Sequence, residues 1–194
     1  MLIQEQPTKS KQMTLDEFLD WYPDGQGRFE LHDGVVIEMQ ATGTQEQVGG
    51  YLAIELGVEI KRLALPYFIP RQGIIKAVDS DKSGYIADVM VLDWQRIETE
   101  PMWKKRATIT KGETIRLVIE VVSTNWQDDY LMKLGEYEKL GIPEYWIVDY
   151  LGLGEDILAT QNNARFPLTN WLTVSMSLIS LEVMMWCDRL PSPI

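Results

Sequence analysis

An α/β fold with a mixed sheet is what this 194-residue sequence predicts. Three observations carry that expectation. Two apolar runs, Ile115–Val122 and Tyr145–Tyr150, are almost unbroken, as strands buried on both faces are. Between them Asp128–Leu140 reads as a helix, which makes a strand–helix–strand unit. Earlier, Gln45–Leu65 sets Val48, Leu52, Leu56, Ile60 and Leu63 at helical spacing.

The remaining elements follow in chain order. Met13–Tyr22 reads as a short amphipathic helix, with Thr14 as N-cap and Glu17 as its capping-box partner. Phe29–Leu31 and Val35–Met39 read as a hairpin around Asp33-Gly34, a dipeptide suited to a tight turn. Pro66 ends the long helix, because proline lacks the amide that a helix interior needs. Tyr67–Arg71 and Tyr85–Leu92 are strand candidates. Thr124 and Asn125 are cap candidates for the last helix, which stops at Gly141 with Pro143 just beyond. There is no internal repeat and no low-complexity segment, and the length suits one domain with its own core.

Composition bounds the chemistry. The single cysteine, Cys187, excludes an internal disulfide, and with the single histidine, His32, it excludes Cys- or His-rich metal centres. Any metal must then be held mainly by oxygen, which favours Mg²⁺, Mn²⁺ or Ca²⁺. No apolar run approaches the ~20 residues of a membrane span. The N-terminal MLIQEQPTKSKQ has no hydrophobic signal core. A cytoplasmic location with no membrane partner is therefore expected. The net charge of −11 argues against a grip on nucleic acid through bulk charge. That charge is uneven: residues 61–119 carry 11 basic and 7 acidic groups, whereas both flanking thirds are acidic. Lys104, Lys105, Arg106 and Lys111 form the densest basic stretch, which reads as a solvated loop or as a polyanion contact.

Two carboxylates interrupt apolar strands: Asp88 in YIADVMVL and Glu120 in LVIEVVS. A buried carboxylate is costly unless it is paired or holds a metal. On neighbouring strands the two would make an oxygen site for one divalent cation; the competing reading is a pair of hydrogen-bonded structural residues. Lys133, in the helix after the Glu120 strand, has Tyr130, Leu134 and Tyr137 as helical neighbours. It either points back to the strand ends, where it would orient water or stabilise a phosphoryl transition state, or it is a solvated helix lysine. His32 reads as a polar turn residue. The seven tryptophans read as core and boundary residues rather than a base-stacking platform.

The runs FELHDGVVIEM, YIADVMVLD and LVIEVVSTNWQDDYLMKLGEYEKLGIPEYWIVDYLGLG resemble the Uma2 family (DUF820) over residues 13–154. That resemblance implies a restriction-endonuclease-like mixed β-sheet flanked by helices, with an N-terminal β-hairpin. It also implies a PD-(D/E)XK-type nuclease that uses Mg²⁺ (or Mn²⁺) on DNA. Asp88 and Glu120 match the two metal-binding carboxylates, with the carbonyl of Val121 as a third ligand. The usual lysine two residues after the glutamate is Val122 here, and Lys133 is the substitute. Glu30, in Phe29-Glu30, matches a glutamate at the site rim, with Gln47 (where many relatives have His) and Tyr137 as further rim positions. Homodimers are common on this fold, so a homodimer is expected by analogy.

After Gly154 the family's G-x-R-Y-I-G-x-P-K-Q pattern is missing. One back-translation of Glu155 to Asn163 also encodes R-Y-I-G-N-P-K-Q in a shifted frame, and the residues beyond can be read likewise. The expected organisation is a flexible segment at 1–12, a nuclease domain at 13–154, and an atypical tail at 155–194 that a reading-frame slip explains. The expected function is Mg²⁺-dependent hydrolysis of DNA phosphodiesters. The alternative is an inactive nuclease-fold module that binds DNA or protein.

Overall fold

The computed structural model describes residues 12–23, 27–121, 126–148 and 171–173. The N-terminal segment before residue 12, the cap candidates Thr124 and Asn125, and all of the tail except Trp171–Thr173 lie outside the described residues.

Among the described residues ten strands form two five-stranded sheets. The first has the order β2-β1-β5-β4-β7, with β1 Arg28–His32, β2 Val35–Met39, β4 Ile74–Lys76, β5 Gly84–Tyr85 and β7 Thr108–Ile109. The second has the order β10-β9-β8-β6-β3, with β3 Tyr67–Phe68, β6 Val89–Asp93, β8 Ile115–Val121, β9 Tyr145–Val148 and β10 Trp171–Thr173. The helices are α1 Leu15–Trp21, α2 Gly43–Arg62, α3 Trp103–Arg106 and α4 Trp126–Leu140. Within the second sheet β6 runs antiparallel to β8, while β8, β9 and β10 are parallel. The sheet is mixed, as expected.

Strand alternation divides the core. Val89, Val91, Leu117, Ile119 and Val121 face one way and meet Val48, Leu52, Leu56 and Ile60 of α2. Met90, Leu92, Ile115 and Val118 face the other way and meet Ile75, Tyr85, Ile109 and Tyr137. Each fully buried side chain of this size contributes roughly 1.5–3 kcal/mol, so the double-sided burial of β8 is a major source of stability. A third cluster, with Leu15, Phe18, Phe29, Leu31 and Ile74, seats α1 on the first sheet.

Local expectations hold at the caps and turns. Thr14 and Glu17 form the capping box of α1. Asp33 and Gly34 both take positive φ between β1 and β2. Gly141 takes positive φ just past α4.

The strand expected over Tyr85–Leu92 is instead two short strands in different sheets, with Ile86, Ala87 and Asp88 between them. The break is tolerated because side chains satisfy its backbone: Ile86 N–H donates to Glu30 Oε1 (2.8 Å) and Arg28 donates to the Ala87 carbonyl (3.1 Å). Similarly, the strand expected over Tyr67–Arg71 shortens to Tyr67–Phe68, since Pro70 cannot donate to a ladder. Among the described residues no helix is long and apolar enough to cross a membrane.

Candidate active site

β6 and β8 pair with Val89 opposite Ile119 and Met90 opposite Val118. Asp88 immediately precedes Val89 and Glu120 immediately follows Ile119, so the two carboxylates flank the same end of the ladder. Asp88 Oδ2 accepts from the Val121 N–H at 2.8 Å, which fixes its carboxylate beside the end of β8.

α4 lies against the face of Met90 and Val118 and brings Lys133 to the carboxylates. Its Nζ is 2.9 Å from Glu30 Oε1 and 3.4 and 3.5 Å from the two oxygens of Glu120. One turn later Tyr137 donates to Glu120 Oε1 at 2.9 Å. Lys133 is only 2% exposed. The solvated-lysine reading therefore fails: Leu134 and Tyr137 beside it pack into the core.

β1 supplies the remaining wall. Arg28, Glu30 and His32 alternate onto one face of the strand, while Phe29 and Leu31 face α1. Glu30 is wholly buried rather than at a rim, and its Oε2 is 2.7 Å from His32 Nε2. His32 is itself buried, edge-on to Tyr85, and not an exposed turn residue. Arg28 reaches Asp88 Oδ1 at 3.3 Å and approaches Glu46 of α2.

The electrostatics divide the carboxylates. Burial works to raise Glu30, but the His32 hydrogen bond, the Lys133 charge and the Ile86 amide outweigh it and hold the group below 4.5. Burial pushes Glu120 up to about 8; the Lys133 charge opposes this, while Asp88 and Glu30 add to the rise. Burial also pushes the Tyr137 hydroxyl well up, so Tyr137 keeps the proton it donates to Glu120 at neutral pH.

Among the described residues no three His, Cys, Asp or Glu side chains form a ready metal cluster. The donors at this end of the ladder are the Asp88 and Glu120 carboxylates and the Val121 carbonyl. All are oxygens suited to a small hard cation. Within the cluster Asp88, Glu120 and Glu30 face only two strong cations, Arg28 and Lys133. A divalent ion at these oxygens would add the positive charge that a buried carboxylate such as Glu120 needs in order to ionise, so the donor chemistry fits such an ion.

Two residues of α2 correct the sequence reading. Gln47 is exposed and does not line the groove, because it lies about 200° around the helix from Gly49, which does. Gln45 takes that place: its Oε1 accepts from Thr42 N–H (2.8 Å) in the capping box, and its Nε2 donates to the Val121 carbonyl (3.2 Å). Tyr137 is not at a rim but 2% exposed beneath Glu120. Arg28 went unrecognised in the sequence, although its position two residues before Glu30 places it on the same strand face. The groove over Asp88 has a volume of about 390 Å³, with Arg28, Gln45, Glu46 and Gly49 on one side and Ile69, Pro70 and Arg71 on the other.

Two sheets with helices, and a carboxylate-and-lysine cluster at the end of the central β6–β8 pair, have the form of a nuclease-like α/β domain. The solved structure described as a "putative nuclease belonging to DUF820" from Anabaena variabilis ATCC 29413 has the same fold. Its TM-score is 0.55 at 18% identity, covering 71% of this chain and 74% of that one. The family model Uma2, described as "Putative restriction endonuclease", matches residues 15–172. The chain belongs to the Uma2 family. The match runs past Gly154 and includes most of β10. No curated protein matches the chain.

Proposed function

We propose that this chain is a metal-dependent endonuclease of the PD-(D/E)XK type that hydrolyses DNA phosphodiester bonds with Mg²⁺ or Mn²⁺. The observation that carries the reading is Lys133. The position two residues after Glu120 holds Val122, yet α4 returns a lysine to the Glu120 carboxylate from another element. A carboxylate pair can hold a cation, and an adjacent ammonium can stabilise the charge that develops on a phosphodiester in its transition state.

Asp88, Glu120 and the Val121 carbonyl would hold the metal, which when bound supplies positive charge at the phosphate and a more acidic water. The protein's own groups do the rest. Glu30 fixes Lys133 in place, and the Lys133 ammonium supplies charge and a proton donor beside Glu120. Gln45 locks the Val121 carbonyl to the start of α2. Arg28 at the groove floor offers a guanidinium to a phosphate, an exchange in which it would release Asp88. The family membership supports a nuclease, and the net charge of −11 implies weak, salt-sensitive DNA binding.

The test is plasmid cleavage by the full chain with Mg²⁺ or Mn²⁺, beside Glu120→Ala and an EDTA control. Cutting that requires both metal and Glu120 supports the reading. A folded wild type that does not cut favours the second reading, an inactive nuclease-fold module that binds DNA or protein. The Arg28–Asp88 contact and the acidic charge lend that second reading weight.

A further inference from the structure

The 69–72 segment has a recess on each side. One is the groove over Asp88. The other, about 540 Å³, is lined by Phe68, Pro70, Arg71, Gln72, Trp103 and Ala107. Pro70 and Arg71 line both, so the two recesses share a wall. The second recess is of a size that takes small organic ligands, roughly 300–1,000 Å³.

Its walls are aromatic. The Phe68 and Trp103 rings stand 6.1 Å apart at 66°, so one presents a face where the other presents an edge. Trp94 stacks on Phe68 at 4.1 Å and fixes that ring in place. No acidic residue lines the recess. Arg71 lines the shared wall, and Lys104 and Lys105 follow the lining residue Trp103 in α3. All three cations are exposed, and among the described residues none makes an ion pair or hydrogen bond. Arg106, by contrast, is engaged with Asp20 of α1. Unpaired cations call for an anion, and aromatic walls call for a flat apolar body; a nucleotide offers both.

We propose that this recess is a nucleotide subsite. It seats one unpaired base of a nucleic-acid strand against Phe68 and Trp103, while the strand's phosphates pass Arg71 into the Asp88 groove. The base must be unpaired because a base inside a duplex has both faces already stacked. Stacking of this kind tolerates any base, so the subsite selects strand state rather than sequence. The direction of the strand rests on the nuclease reading, but occupancy of the recess does not require cutting.

The test is equilibrium binding of a labelled twelve-nucleotide single strand to the full chain at low salt in EDTA. A series of such strands, each with one abasic site, locates the seated base. One abasic position is expected to weaken binding by about five- to a hundredfold. Trp103→Leu is expected to lose the same factor with the intact strand and to become indifferent to that abasic site. Arg71→Ala is expected to weaken every strand alike and to flatten the salt dependence. In case Trp103→Leu misfolds, 2-aminopurine at the sensitive position of a strand bound to wild type is expected to be quenched by stacking. Equal binding of every abasic strand, unquenched 2-aminopurine, or equally strong binding of a blunt duplex overturns the proposal. Abasic-sensitive binding by a chain that never cuts plasmid would sink the nuclease reading alone; cutting without abasic sensitivity would sink the subsite alone.

Discussion

Replacing Glu120 by glutamine should stabilise the metal-free protein while abolishing its proposed chemistry. Glu120 ionises near 4.5 when unfolded and near 8 when folded. The folded state therefore binds more protons than the unfolded state between those values, and stability falls as pH rises through that window. A gap of roughly 3.5 units at about 1.36 kcal/mol per unit sets an upper bound near 5 kcal/mol. Most of that is expressed by pH 8 and only a small part at pH 5. Glutamine has the same shape, and its carbonyl can keep the hydrogen bond from Tyr137, but it cannot ionise. The expected gain of Glu120→Gln over wild type is thus roughly 2–4 kcal/mol larger at pH 8–9 than at pH 5. Urea unfolding in EDTA at pH 5, 6, 7, 8 and 9 measures it. Added Mg²⁺ should erase the advantage by stabilising wild type alone. A difference between the two proteins that does not change with pH, or a variant that is less stable at pH 8, would refute the reasoning.

Three further outcomes are expected. Glu30→Gln removes the closest counter-charge of a buried lysine and should cost about 3 kcal/mol near neutral pH, the low end for breaking a buried pair, since the Ile86 bond can persist. Because the folded pKa of Glu30 is depressed, its contribution is present above about pH 4.5 and lost as pH falls below that value, so the two proteins should converge in acid denaturation. Arg28→Met should tighten Mg²⁺ binding several-fold in calorimetry by removing a competing cation from Asp88, yet weaken binding of DNA, and a parallel change in both would contradict the role given to Arg28. Gly112→Ala forces a Cβ into the Leu140 carbonyl at the end of α4, and a melting temperature unchanged from wild type would show that α4 is not held there; the expected loss is about 1–3 kcal/mol.

The sequence made part of this site legible because burying charge is expensive. Asp88 and Glu120 stood out as carboxylates in apolar runs, and Lys133 as a lysine among inward-facing helix residues. The structure brings all three together with Glu30 and Tyr137. What periodicity could not show is where a strand stops. YIADVMVL alternates no differently at Ala87 than at Met90, and the break there depends on Arg28 and Glu30 from a distant strand. Gln45 and Gln47 are chemically identical, so only the phase of α2 against β8 separates them. His32 looked like a turn residue because its burial comes from Glu30 and Tyr85, which no local pattern reports.

Lys133 meets Glu30 across most of the described chain, and Asp88 and Glu120 come from two further segments. The cluster is therefore absent from every N-terminal fragment that ends before α4. A chain emerging from the ribosome carries hydrophobic strands well before it carries the Lys133–Glu30–Glu120 cluster. The candidate site is in this way assembled only when α4 docks, however much of the sheet has formed before it.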